Sequence, residues 1–153
     1  MGFPAESILV LGEILVDDLM ASASSLDIKR ATDLEHMRAL VAQLDERVTA
    51  IIQAVVQAGK IPLVVGGGHN NAYGNIRGAA QALKQPIHVI NCDPHLDFRE
   101  REGRHSGNGF SYASHEGYLN RYAVFGMHEQ YNNQAALTEF RAHPEQLFFT
   151  SYE

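Results

Sequence analysis

Residues 87–97 read IHVINCDPHLD, an apolar, β-prone run that ends in polar side chains spaced two apart. A run this continuous fits a strand buried on both faces of a parallel sheet better than a half-wet hairpin strand. Asp93, His95 and Asp97 then stand at i, i+2 and i+4. In an extended segment alternate residues point to the same side, so the three side chains can converge. One aspartate after a strand reads as a turn former. Two carboxylates and an imidazole at this spacing suit a hard or borderline cation such as Mn²⁺, Fe²⁺ or Zn²⁺.

Working upstream, residues 61–65 (IPLVV) form a second short apolar run, followed by Gly66, Gly67, Gly68 and His69. Three glycines permit a tight turn and close backbone approach. They deliver His69 to the same end of the sheet as Asp93 if both runs are neighbouring parallel strands. A lone histidine there would be incidental; beside the 93–97 cluster it becomes a fourth ligand. Before this, Met37, Leu40, Val41, Leu44, Val48, Ile51, Ile52, Val55 and Val56 recur at i, i+3 and i+4. This is one long amphipathic helix, started by a Thr32–Glu35 capping box and stopped at Gly59. Residues 8–15 (ILVLGEIL) suggest a first buried strand, and the Ser-rich stretch 21–25 a loop.

Downstream, a helix is expected over 71–84, before Pro86, and a polar loop over 98–120. Residues 122–127 suggest a strand, 132–143 a helix and 147–150 a final strand. Helices alternating with strands that are continuous apolar runs imply an α/β fold, a parallel sheet with helices on both faces. No internal repeat or linker divides the chain, so residues 1–153 read as a single domain. Ligands of such sheets bind beyond the carboxyl ends of the strands, where His69, Asp93 and Glu129 fall.

Composition excludes several functions. A formal net charge of -6 argues against a nucleic-acid partner, which needs a basic patch. Arg99, Arg101 and Arg104 alternate with Glu100 and Glu102 and read as a solvated loop. No apolar run reaches the ~18 residues of a membrane span, and no basic segment precedes an apolar leader. A single cysteine, Cys92, excludes an intrachain disulfide framework and paired-cysteine zinc sites. The expected location is cytoplasmic. Cys92 lies in an apolar strand, where an inert buried thiol is expected. Ser106 and Ser111 lack the flanks of a nucleophile elbow, and the glycines lack both a P-loop lysine and the third glycine of a dinucleotide site. Metal-activated water is the reaction class left.

Gly66–His69 (GGGH), Asp93–Asp97 (DPHLD) and Ser106-Gly107-Asn108, in this order and strand context, resemble the ureohydrolase superfamily of arginase, agmatinase and formimidoylglutamase. GGGH, in place of the commoner Gly-Gly-Asp-His, leans toward the formimidoylglutamase branch. The resemblance implies an arginase-like three-layer α/β/α fold. It implies hydrolysis of an amidino or guanidino C–N bond of a small linear amidine by Mn²⁺-activated hydroxide. On that resemblance His69 and Asp97 would hold one metal and His95 the other. Asp93 would bridge the two, making Asp93 and Asp97 catalytic. Ser106 and Asn108 would bind the amino-acid end of the substrate, with Glu129 a candidate acid on the substrate side.

Two departures narrow this expectation. Where arginases carry a proton-transferring histidine after the Ser-Gly-Asn motif, this chain has Phe110, which weakens an arginase assignment. The family also completes its metal pair with a later Asp-x-Asp, and no aspartate follows Asp97 here. The resemblance therefore covers a partial domain, from about Ile8 onward, whose isolated activity is expected to be weak or absent. The alternatives are a non-catalytic binding or assembly domain of the same fold, and a metal-dependent deacetylase. An incomplete sheet leaves an open edge, so a homo-oligomer is expected.

Overall fold

The computed structural model describes residues 7–151. Among these residues five α-helices and three β-strands run in the order α1 (Asp17–Ala23), α2 (Ala31–Gln57), α3 (Asn71–Leu83), β1 (Ile87–Cys92), α4 (Gly109–His115), β2 (Leu119–Met127), α5 (Gln134–Ala142) and β3 (Leu147–Ser151). The strands form one parallel sheet, ordered β1-β2-β3. The class is the expected incomplete α/β fold with a parallel sheet, but among the described residues helices cover one face of the sheet rather than the expected two.

Parallel crossovers share one hand, so a sheet that grows in one direction keeps its connecting helices on one face. The core follows this rule. Tyr73 and Ile76 of α3, Phe110 and Ala113 of α4, and Leu137 and Phe140 of α5 pack in a single cluster with Tyr122, Val124 and Leu147 of the sheet. The alternate strand residues face the other way and stay open: Ile90 is 75% exposed and Phe125 58%. Cys92 shares that open face, so the thiol is exposed rather than buried as expected.

The long helix α2 matches its periodicity, burying Leu40, Val48 and Ile52 along one stripe. It lies on α3 as an outer layer, and the contact is close because Gly74 and Gly78 of α3 carry no Cβ. Its start differs from expectation. The helix begins at Ala31, and Thr32 forms no capping box; its hydroxyl turns to Asp33, which also accepts the Asp27 N–H. Its end is as read. Gly59 sits at φ +69°, and the Gly59 and Lys60 N–H groups return to Val56 and Val55. This is the paired closure that a left-handed residue permits.

Three other expectations change. Residues 8–15 and 61–65 form no strand, because a strand exists only where a neighbour completes its ladder. Among the described residues neither run has such a neighbour, and Ile61 is 95% exposed. The segment 98–120, read as loop, contains a 3-10 turn (Ser106–Asn108) and α4. The stretch 21–25, also read as loop, begins inside α1.

Candidate metal centre

Asp93 follows β1 directly, and its N–H extends the ladder by donating to the Phe125 carbonyl at 3.2 Å. The carboxylate turns back to accept the His95 N–H at 2.7 Å, which curls the chain after the strand. His69 reaches the same place from the glycine turn that precedes α3, where Gly66 and Gly67 adopt φ +91° and +76°. His69 Nδ1 lies 2.5 Å from Asp97 Oδ2 and 3.2 Å from Asp93 Oδ2. One ligand atom from each of His69, Asp93 and Asp97 falls within 4.8 Å of the others.

His95 lies on the other side of Asp93. Its Nδ1 is 2.9 Å from Asp93 Oδ1, the oxygen that does not face His69. The His95 ring stacks on Tyr131 at 5.7 Å, and Tyr131 stacks on His128 at 4.7 Å. Thus all four expected ligands assemble, three in one cluster and the fourth across the shared carboxylate. One imidazole and two carboxylates, partly buried, form a donor set that fits Mn²⁺. Beside them an open hollow of about 460 Å³ is lined by the glycine turn, Asn71, Asn75 and Asp93.

The electrostatics favour a cation. Asp97, hydrogen-bonded to His69, holds that imidazole's pKa above its ordinary value; burial opposes it, and the charges of Asp97 and Asp93 add to it. Negative charge therefore dominates the cluster. Phe110 meets the His69 ring edge-on at 5.5 Å and stacks on Tyr122 at 4.2 Å. It walls one side of the site with hydrocarbon.

The substrate candidates do not join the cluster equally. Ser106 is exposed on its 3-10 turn. Asn108 is wholly buried, with its amide fully engaged. Its Oδ1 accepts from Arg104 and the His105 N–H, while Nδ2 donates to the carbonyls of Glu100 and Gly103. Glu129 pairs with Arg141 of α5 rather than with any cluster residue.

Arg104 corrects the reading of a solvated arginine run. Arg99 and Arg101 are exposed, but Arg104 is buried and bonds Asp45 of α2 at 2.8 Å. It also donates to the Asn70 carbonyl at 3.0 Å and lies over the rings of Tyr73 and Tyr112. Burial raises the Asp45 carboxyl to about 6 despite the opposing pull of Arg104. An alternating Arg/Glu stretch carries no sign of which arginine turns inward, and the buried acid that selects Arg104 lies 59 residues away.

The Arginase family profile matches residues 10–151. This chain belongs to the arginase family. It is 31% identical over 125 residues to the formimidoylglutamase of Streptococcus gordonii, covering 76% of this chain and 38% of that protein. It is 36% identical over 100 residues to the formimidoylglutamase of Chromobacterium violaceum, covering 62% and 32%. Among solved structures, Trypanosoma cruzi formiminoglutamase with Mn²⁺ aligns at a TM-score of 0.64 and 27% identity, over 72% of this chain and 38% of that one. Formimidoylglutamase from Bacillus subtilis shares the fold at a TM-score of 0.62 and 22% identity, over 72% and 35%. The chain spans a little over a third of the length of these arginase-family relatives at most.

Proposed function

We propose that this chain supplies most of one ligand shell of a binuclear Mn²⁺ centre that hydrolyses a formimino compound, a linear amidine such as formimidoylglutamate. The observation that carries this reading is the divided carboxylate of Asp93. Its Oδ2 faces His69 and its Oδ1 faces His95, so one carboxylate could serve an ion beside each imidazole. On this reading His69 and Asp97 would hold one ion and His95 the other, with Asp93 placed between them to serve both. The formimidoylglutamase relatives and the Mn²⁺-containing T. cruzi structure support the choice of substrate class and metal.

Bound Mn²⁺ supplies Lewis acidity, which lowers the pKa of water and polarises the amidine carbon. The chain's own residues prepare that chemistry. Nδ1 of His69 must shed the proton it shares with Asp97 before it can act as a ligand, so cation affinity rises with pH. Phe110 excludes water from one side of the His69 ring. Ser106 is the exposed substrate-side candidate, and Asn108 serves it by holding the loop beneath it.

This reading includes a small-molecule substrate, a cytoplasmic location consistent with a lone cysteine, and a single partial domain that self-associates. The open sheet face with Ile90 and Phe125 supports self-association. No helix among the described residues is long and apolar enough to cross a membrane.

Calorimetric titration with Mn²⁺ tests the site. Binding is expected to be weak, abolished by Asp93→Ala, and partly kept by His69→Ala and His95→Ala, each sparing a different ion. Unchanged binding in Asp93→Ala would overturn the bridging role, and two tight sites per chain would overturn the partial shell. Ammonia release from formimidoylglutamate by a full-length relative carrying these motifs tests the chemistry. Release of acetate alone from an acetylated substrate would favour the deacetylase instead.

A further inference from the structure

We propose that Asn132 is a positioning residue for the metal-ligand loop, acting through the backbone on both sides of His95. The proposal rests on reading Asp93, His95 and Asp97 as ligands. Asn132 lies between β2 and α5, 35 residues beyond Asp97, yet its side chain reaches into the ligand loop. Oδ1 accepts the Leu96 N–H at 2.7 Å, and Nδ2 donates to the carbonyls of Pro94 at 3.0 Å and His128 at 2.9 Å. From the core side, Tyr122 Oη donates to the Leu96 carbonyl at 2.9 Å while accepting from Asn91 at 3.0 Å. The Leu96 residue is thus held at its N–H by Asn132 and at its carbonyl by Tyr122.

This grip has a purpose at the next residue. Asp97 adopts φ +46°, a left-handed conformation that aspartate tolerates better than most residues but does not favour. A loop free to relax would rotate the Asp97 carboxylate away from His69. Asn132 is not spent on capping α5, because Asn133 does that by accepting the Ala136 N–H at 2.8 Å. Only an amide offers one acceptor and two donors in a plane at this reach. Aspartate at neutral pH would offer acceptors alone, and alanine nothing. Outer residues that orient ligands typically change metal affinity ~10–100-fold when removed.

The test uses Asn132→Ala in the full chain with two readouts. In metal-free protein, hydrogen exchange of the Leu96 amide is measured by NMR relative to the ladder amides of β2. The variant is expected to raise that ratio about tenfold or more, since simple destabilisation speeds both sets alike. Mn²⁺ affinity, measured from the paramagnetic resonance of free Mn²⁺, is expected to fall about tenfold or more. Leu137→Ala, a core change in α5, is the control and should leave both the ratio and the affinity as they are. If Asn132→Ala does not fold, Asn132→Ser, whose short hydroxyl cannot serve all three partners, should show the same ratio change. An unchanged exchange ratio overturns the proposal, as does unchanged affinity in a parent chain that binds Mn²⁺. A parent chain that fails to bind Mn²⁺ refutes the metal reading instead, and the exchange ratio still decides whether Asn132 holds the loop.

Discussion

Gly78→Ala measures how closely the two long helices meet. A Cβ at Gly78 would stand 2.7 Å from the Thr49 carbonyl oxygen, 2.8 Å from Ile52 Cβ and 3.1 Å from the Gln53 nitrogen. None of these is the mobile end of a side chain, so the helices themselves must part by several tenths of an ångström. On an uncrowded helix the same change stabilises by about 1 kcal/mol, because glycine is a poor helix former. Here overpacking costs about 1–3 kcal/mol. A gap of ~0.5–1 Å along the remaining interface also forfeits a quarter to a half of each dispersion well. Crowding wins. The expected net loss is about 1–2 kcal/mol, a large share of the stability of a domain this size. Urea unfolding followed by circular dichroism reads it as a lower midpoint at unchanged slope. A variant as stable as its parent, or more stable, would refute the close approach of α2 and α3.

Three other substitutions probe the chain independently. Asn108→Ala strips four hydrogen bonds from a buried loop and leaves Arg104 short of a partner, with an expected loss of about 3 kcal/mol on unfolding; a loss below about 1 kcal/mol would refute the loop-holding role. Lys84 ends α3 at φ 56°, so Lys84→Gly should stabilise by about 0.5–1 kcal/mol, seen as a higher melting temperature. For Asp45 the folded pKa, about 6, lies above its ordinary 3.8, so the folded state holds the proton more tightly. The resulting stability is full below pH 3.8 and is lost as pH rises through about 6. Asp45→Asn should therefore remove a fall in stability between pH 4 and 7 that the parent shows, and identical pH profiles would count against it.

Part of the candidate site was legible because Asp93, His95 and Asp97 sit close in sequence. Their spacing is local, but their arrangement is not: Asn132 and Tyr122 hold Leu96 ahead of Asp97, and His69 arrives from the turn before α3. The buried Asn108 was less legible, because its motif suggested a substrate contact while its partners, at Glu100, Gly103 and Arg104, take up the whole amide. Asn132 carried no signal beyond its place in an Asn-Asn pair before a helix, only one of which was needed as a cap.

The sequence by itself determined the periodic helix α2, the strand that delivers Asp93, and the close spacing of the candidate ligands Asp93, His95 and Asp97, because each depends on residues near one another in the chain. Only the tertiary structure decided which apolar runs became strands, since β1, β2 and β3 find ladder partners and residues 8–15 and 61–65 do not. It alone buried Arg104 against Asp45, opened the face that exposes Cys92, and divided the Asp93 carboxylate between two histidines. Local periodicity shows which side of an element is apolar, but the partner that covers it is brought there by chain folding, and no spacing along the sequence records the match.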